Sequence, residues 1–165
     1  MSLSTGASPA RTQCIHEVKI IPLKKVTTER GHLMEVTRCD DSYHLDFGQA
    51  YITMSRPGVV RAWYRHREQT DQVVLVKGRL LLVLLDSRKD SPTFQSLQEI
   101  WISDDAPTLV QIAPGIWHGF QAIDEDDAYL LHLNSRAYNF EEPDEERLAP
   151  DDPTIPYRWT HHPNS

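Results

Sequence analysis

The sequence predicts an all-β fold, an antiparallel sandwich or barrel, on three observations. Apolar and polar residues alternate through the middle of the chain, Pro/Gly turns punctuate them at short intervals, and helical periodicity is scarce. Short strands separated by such turns are the pattern of closed or double-sheet antiparallel architectures. At 165 residues the chain has the length of one domain with enough material for a real core.

The elements follow in order. The opening MSLSTGASPARTQ has no apolar stretch of the kind a secretion signal carries, so residues 1–14 read as a disordered lead. One domain is expected over residues 15–165, with its barrel at about 45–135 and an arm over 136–165. In FGQAYITMS, Phe47, Gln49, Tyr51, Thr53 and Ser55 share one strand face, and Ala50, Ile52 and Met54 the other. Arg56-Pro57-Gly58 turns the chain into a strand from Val59 to Arg67. The segment QVVLVKGRLLLVLL is two apolar runs broken at Lys77-Gly78, as in a tight hairpin between buried strands. A strand from Thr108 to Ala113 stops at Pro114-Gly115, another runs from Trp117 to Ile123, and AYLLHLN alternates again up to Asn134. Beyond Asn134 the composition turns to Pro and acid. This predicts a surface arm with one helical turn around Asp144 to Leu148, anchored by Tyr157 and Trp159.

Charge and composition exclude several partners. There are 17 Lys+Arg against 24 Asp+Glu, a formal charge of −7, and no basic cluster. Neither nucleic acid nor an anionic membrane surface is an expected partner. The longest aliphatic run, Leu80 to Leu85, is far short of the roughly 20 residues of a membrane helix. Cys14 and Cys39 have no metal-type spacing and read as the reduced thiols of a cytoplasmic protein.

Histidines carry the first chemical signal. His66 shares a strand face with Tyr64, and His118 follows the Pro-Gly turn of APGIWHGF. Both stand at strand ends, where barrels open. His132 lies inside a strand and reads as structural, while His161 and His162 read as solvated tail residues.

Around them, Gly58-x5-Tyr64-x-His66-x11-Gly78 and Pro114-x3-His118 look like the two cupin motifs in degenerate form. ERGHLMEV, PGVVRAW, DSRKDSPTF, APGIWHGF and DDPTIPYRW occur in that order. Together they resemble the dTDP-4-dehydrorhamnose 3,5-epimerase family from about Ile21 to Trp159. The resemblance implies a jelly-roll cupin barrel, a homodimer, no metal and no cofactor. It also implies a nucleotide-linked sugar as ligand, a 4-keto-6-deoxyhexose inverted at carbons next to the ketone. Such inversion needs a base for the acidic C–H proton, a donor for the enolate, and an acid on the opposite face. The family uses a histidine, a lysine and a tyrosine.

Carried onto this chain by the resemblance, Arg61 is the active-site arginine, His118 the cavity histidine and Tyr138 the acid tyrosine. Arg30 and Glu35 fall on a nucleotide-contacting pair, Gln49 on a polar cavity residue, and Tyr51 completes the expected lining. The base position falls on Tyr64 and the lysine position near Asp71. Phenol titrates near 10 and imidazole near 6.5, so an unperturbed Tyr64 is a poor base at neutral pH by about three units. His66 is the nearest substitute, and the catalytic set becomes Tyr64, His66, His118 and Tyr138. The carboxylate that orients the family's histidine has no expected counterpart in the short stretch after Trp159. Strict alternation sets Arg61 on the face opposite Tyr64, so both meet one ligand only across a bulge.

Plainer readings stand beside these. His66 bonding only Tyr64 or Asp71, Tyr138 as an aromatic plug, and Arg30 with Glu35 as a solvated pair are all compatible with the pattern. Two other functions also remain open. One is a non-catalytic sugar-nucleotide-binding module. The other is a metal-dependent cupin using His66, His118 and Asp71 or Glu68.

Overall fold

A computed structural model describes residues 14–160, and among these there is no helix. Twelve strands follow one another: β1 (Lys19–Pro22), β2 (Lys25–Thr28), β3 (Gly31–Met34), β4 (Gln49–Ser55), β5 (Val60–His66), β6 (Asp71–Lys77), β7 (Arg79–Asp86), β8 (Leu97–Ser103), β9 (Thr108–Ile112), β10 (Ile116–Ala122), β11 (Ala128–Asn134) and β12 (Glu145–Arg147). Ten of them build two five-stranded antiparallel sheets, β1-β9-β6-β11-β4 and β12-β5-β10-β7-β8, while β2 and β3 form a separate hairpin. The chain passes repeatedly from one sheet to the other, as in a jelly roll. β1 joins the first sheet through β9, well ahead of the residue from which the sequence reading starts the barrel. The expected disordered lead falls outside the described residues, apart from the exposed Cys14. His161 and His162 also fall outside them.

The core follows from alternation. Val73, Leu75, Val110, Ile112 and Leu130 of the first sheet meet Leu80, Leu82, Leu84, Ile100 and Ile116 of the second. Each such side chain contributes about 1.5–3 kcal/mol when fully buried. The outward residues Leu81, Val83, Leu85 and Trp117 of the second sheet pack with Trp63 and Ile155 under Tyr157 and Trp159. Tyr157 and Trp159 thus pack against the outer side of the second sheet.

Two expectations are overturned. Lys77-Gly78 is not a hairpin: β6 and β7 belong to different sheets, and Gly78 is the corner between them. Its φ is +93° and its N–H donates to Asp104 Oδ2 at 3.0 Å. Both runs are buried on both faces, so their apolar pattern does not tell a hairpin from a crossing. The helical turn expected near Asp144 is instead β12, which pairs with β5 in the register Glu145↔His66 and Arg147↔Tyr64. An open sheet edge overrides local propensity there. Arg65 reinforces the pairing, meeting Glu146 at 2.5 Å and lying 4.4 Å over the Trp117 ring.

The stretch DSRKDSPTF is structural. Asp86 is fully buried and accepts from Arg88, Ser91 Oγ at 2.6 Å and Thr93 Oγ1 at 2.7 Å. Burial alone would raise this carboxyl, but these bonds hold it well below the usual carboxylate range.

Candidate active site

β4 has its polarity reversed. Ile52 and Met54 are 61% and 39% exposed on the outer side, whereas Tyr51 and Thr53 line the space between the sheets. A sheet that turns polar residues inward makes room for a ligand rather than for packing. At this end the space is a cup of about 190 Å³.

The two walls carry different groups. Tyr51, Thr53, Asp71 and His132 come from the first sheet; Arg61, Tyr64, His66 and His118 come from the second. Glu145 and Arg147 of β12 form part of the rim. Arg61 and Tyr64 reach the same cup because β5 bulges against β10: His118 pairs with Tyr64, and Phe120 with Arg61. Three steps on one strand thus match two on the other, which cancels the alternation. Gly119 sits opposite, where a Cβ would stand 2.4 Å from Ala62 Cβ.

At the cup floor, Asp71 Oδ2 lies 3.3 Å from Nε2 of both His66 and His118. Gln69 Nε2 donates to Asp71 Oδ1 at 2.7 Å. The loop carrying Gln69 is held by Asp144, whose carboxylate accepts from the N–H groups of Arg67, Glu68 and Gln69. His118 Nδ1 is 3.2 Å from the carbonyl of Ile116. A carbonyl only accepts, so Nδ1 carries the proton and Nε2 keeps its lone pair.

The environments push these groups apart. Burial drives His118 below the ordinary imidazole range, with Asp71 opposing only in part. Burial also acts downward on His66, but the hydrogen bond and charge of Asp71, joined by Glu145 and Asp144, leave it raised. Burial would raise Asp71, yet the bond from His66 and the two imidazole charges leave it lowered. A neutral imidazole thus stands beside one biased toward the cation.

On the facing wall, the Tyr51 ring lies flat on His132, with centroids 4.4 Å apart and planes 12° apart. His132 Nε2 is 3.1 Å from Thr53 Oγ1, and burial pushes this histidine down to about 4. At the rim, Arg61 donates to Ser55 Oγ at 3.0 Å and to the Met54 carbonyl at 3.1 Å. Arg147 is paired with Glu145, and its guanidinium lies 5.7 Å from the Tyr64 ring centroid.

Of the residues singled out from sequence, Tyr51, Arg61, Tyr64, His66 and His118 come together in the cup. Tyr138 lies in an adjoining groove of about 530 Å³ that shares His66 and Glu145 with the cup. Gln49 Oε1 accepts from the Tyr138 backbone N–H at 2.8 Å. Arg30 sits at the turn of the β2–β3 hairpin, and Glu35 pairs with Arg38 on the surface. Neither lines the cup. Glu68 pairs with Arg136 instead of joining the histidines.

Sequence reasoning missed Gln69, Glu145 and Arg147, and took His132 as structural. The inward polar pattern of β4 and β11, with Tyr51 opposite His132, was a usable signal for that wall. Nothing local announced β12. One ligand atom from each of His66, Asp71 and His118 also lies within 4.8 Å of the others, close enough to share a divalent cation with an open coordination position.

A jelly-roll cupin with acid–base side chains facing one another across its cup belongs to the class whose ligand enters between the sheets. The profile described as dTDP-4-dehydrorhamnose 3,5-epimerase matches residues 12–165. The chain belongs to that family and is a carbohydrate epimerase by kinship. It is 42% identical over 147 residues to the probable low-salt glycan biosynthesis epimerase Agl13 of Haloferax volcanii, covering 88% of this chain and 94% of that protein. It is 34% identical to the spore coat polysaccharide biosynthesis protein SpsL of Bacillus subtilis, covering 88% and 96%. The crystal structure of a dTDP sugar isomerase from Desulfovibrio desulfuricans superposes with a TM-score of 0.86 at 26% identity, covering 92% and 97%.

Proposed function

We propose that the chain inverts carbon next to the ketone of a nucleoside-diphosphate-linked 4-keto-6-deoxyhexose, with His118 as the base. The observation that carries this reading is the pair of imidazoles, biased in opposite directions, around one buried carboxylate in a polar cup. His118, neutral at Nε2, takes the acidic C–H proton, and Asp71 stabilises the imidazolium that results. His66 is bound to Asp71 through Nε2, so the N–H it offers to the developing enolate oxygen is at the unpartnered Nδ1, which answers the lysine position falling near Asp71. Arg61 and Arg147 at the rim suit ionised phosphates. The family profile and the Desulfovibrio dTDP sugar isomerase support the substrate class.

The reading includes a cytoplasmic homodimer. The free thiols of Cys14 and Cys39 suit a reducing compartment. A second copy is the natural cover for the apolar outer side of β4, and it offers Arg30 and Glu35 a cup other than their own.

Solvent-exchange tests the chemistry. With a dTDP-4-keto-6-deoxyhexose in deuterium oxide, the wild type is expected to place deuterium at C3 or C5, read by mass spectrometry. His118→Asn should slow this by about 10²-fold or more. Tight binding without any exchange would favour a carrier module instead.

A second reading rests on the ligand-like spacing of His66, Asp71 and His118. These three residues would hold the cation, which would polarise a substrate oxygen. Elemental analysis of protein purified without added metal decides between them. One equivalent of zinc, iron or manganese per chain overturns the metal-free scheme.

A further inference from the structure

Inversion needs a proton donor facing the base from across the sugar, and the family assignment gives that role to Tyr138. In this chain Tyr138 is on the arm, edge-on to the exposed Phe140 at 4.9 Å and outside the cup lining. The cup has its own phenol on the correct wall. Tyr51 projects from β4 of the first sheet, whereas His118 projects from β10 of the second, so a ring lying between the walls meets one on each face.

We infer that Tyr51 is the catalytic acid, returning the proton on the face opposite His118; this rests on the epimerase reading above. Its orientation is fixed by the flat stack on His132, which Thr53 holds in turn. Its hydroxyl receives a hydrogen bond from the Asn134 amide, whose own Oδ1 is buried without a partner. Accepting at oxygen leaves the phenolic proton for the cup, and the same amide stabilises the phenolate once the proton has gone. Burial raises the phenol, which keeps it protonated until the enolate forms.

The balance is simple. The C–H bond breaks, its proton goes to His118 Nε2, and its electron pair forms the enolate. The enolate pair then forms a new C–H bond with the Tyr51 proton, and the ketone returns. Imidazolium and phenolate are left, and they reset by proton exchange with water. His118 and Tyr51 thus serve opposite faces, and neither half requires Tyr138.

The experiment separates the halves. Tyr51→Phe removes one oxygen and keeps the stack, so the variant should fold, with a melting temperature lowered only by the loss of the Asn134 bond. Incubated with a dTDP-4-keto-6-deoxyhexose in deuterium oxide, it should retain deuterium wash-in with the original configuration and lose inversion about 10²-fold. Tyr138→Phe, the rival acid, should retain more inversion than Tyr51→Phe does. Normal inversion by Tyr51→Phe, or the same split in Tyr138→Phe, overturns the assignment. Absence of wash-in in the wild type overturns the base chemistry instead, and this inference with it.

Discussion

At the scale of single residues, burial sets which histidine carries charge, and His132 gives the cleanest consequence. Its folded pKa is about 4, against an unfolded value near 6.5. Above pH 6.5 it is neutral in both states and costs nothing. As the pH falls from 6.5 toward 4, the unfolded chain takes up the proton and the folded chain does not, so stability is lost over that window. The full difference is about 3 kcal/mol. His66 acts with the opposite sign, because its raised folded value favours the native state as acid is added. The contribution of His132 is therefore isolated by difference. Urea unfolding at pH 7.5 and pH 4.5, run on the wild type and on His132→Gln, should show the wild type losing about 2–3 kcal/mol more than the variant. Parallel losses would mean that the stacked ring is free to protonate in place.

At the scale of elements, the bulge between β5 and β10 puts Arg61, Tyr64 and His118 around one cup. At Gly119 there is no room for a side chain, so Gly119→Ala forces a Cβ against Ala62 and against Trp159 Cζ2 at 3.1 Å. Overpacking of this kind costs about 1–3 kcal/mol. A lowered melting temperature together with slower deuterium exchange is the expected result, because His118 is the adjacent residue. Unchanged values for both would show that the strands part without disturbing the site. The need for this bulge was legible: Arg61 and Tyr64 stand three apart, and alternation alone separates them. The strands of β4, β5, β10 and β11 were legible from alternation and Pro/Gly turns, and His66 and His118 from their places at strand ends. Gly78 misled because a buried run looks the same before a hairpin and before a crossing. β12 was invisible because its cause is a partner about eighty residues away in sequence. Asp71 drew notice as a lysine position, as a bonding partner of His66 and as an alternative metal ligand; its hold on both imidazoles depends on β6 facing β5 and β10 across the cup.

At the scale of the whole molecule, the two outer faces are unequal. The arm covers the second sheet through Trp63, Trp117, Tyr157 and Trp159. On the first sheet, Ile52, Met54, Val76 and Tyr129 are exposed around the β4 edge. An uncovered apolar edge strand invites pairing with other chains, and a closed interface is the usual way to bury it. A solution mass of twice 19.0 kDa by light scattering is therefore expected. Ile52→Lys with Met54→Lys should give a folded particle of 19.0 kDa, since both side chains point away from the cup. If Arg30 and Glu35 contact the nucleotide on a partner's cup, the same double variant should also raise the KM for the nucleotide sugar. A monomeric wild type would remove the only route by which those two residues reach a ligand. A monomeric variant with unchanged KM would leave the dimer intact as an idea but confine each cup to its own chain.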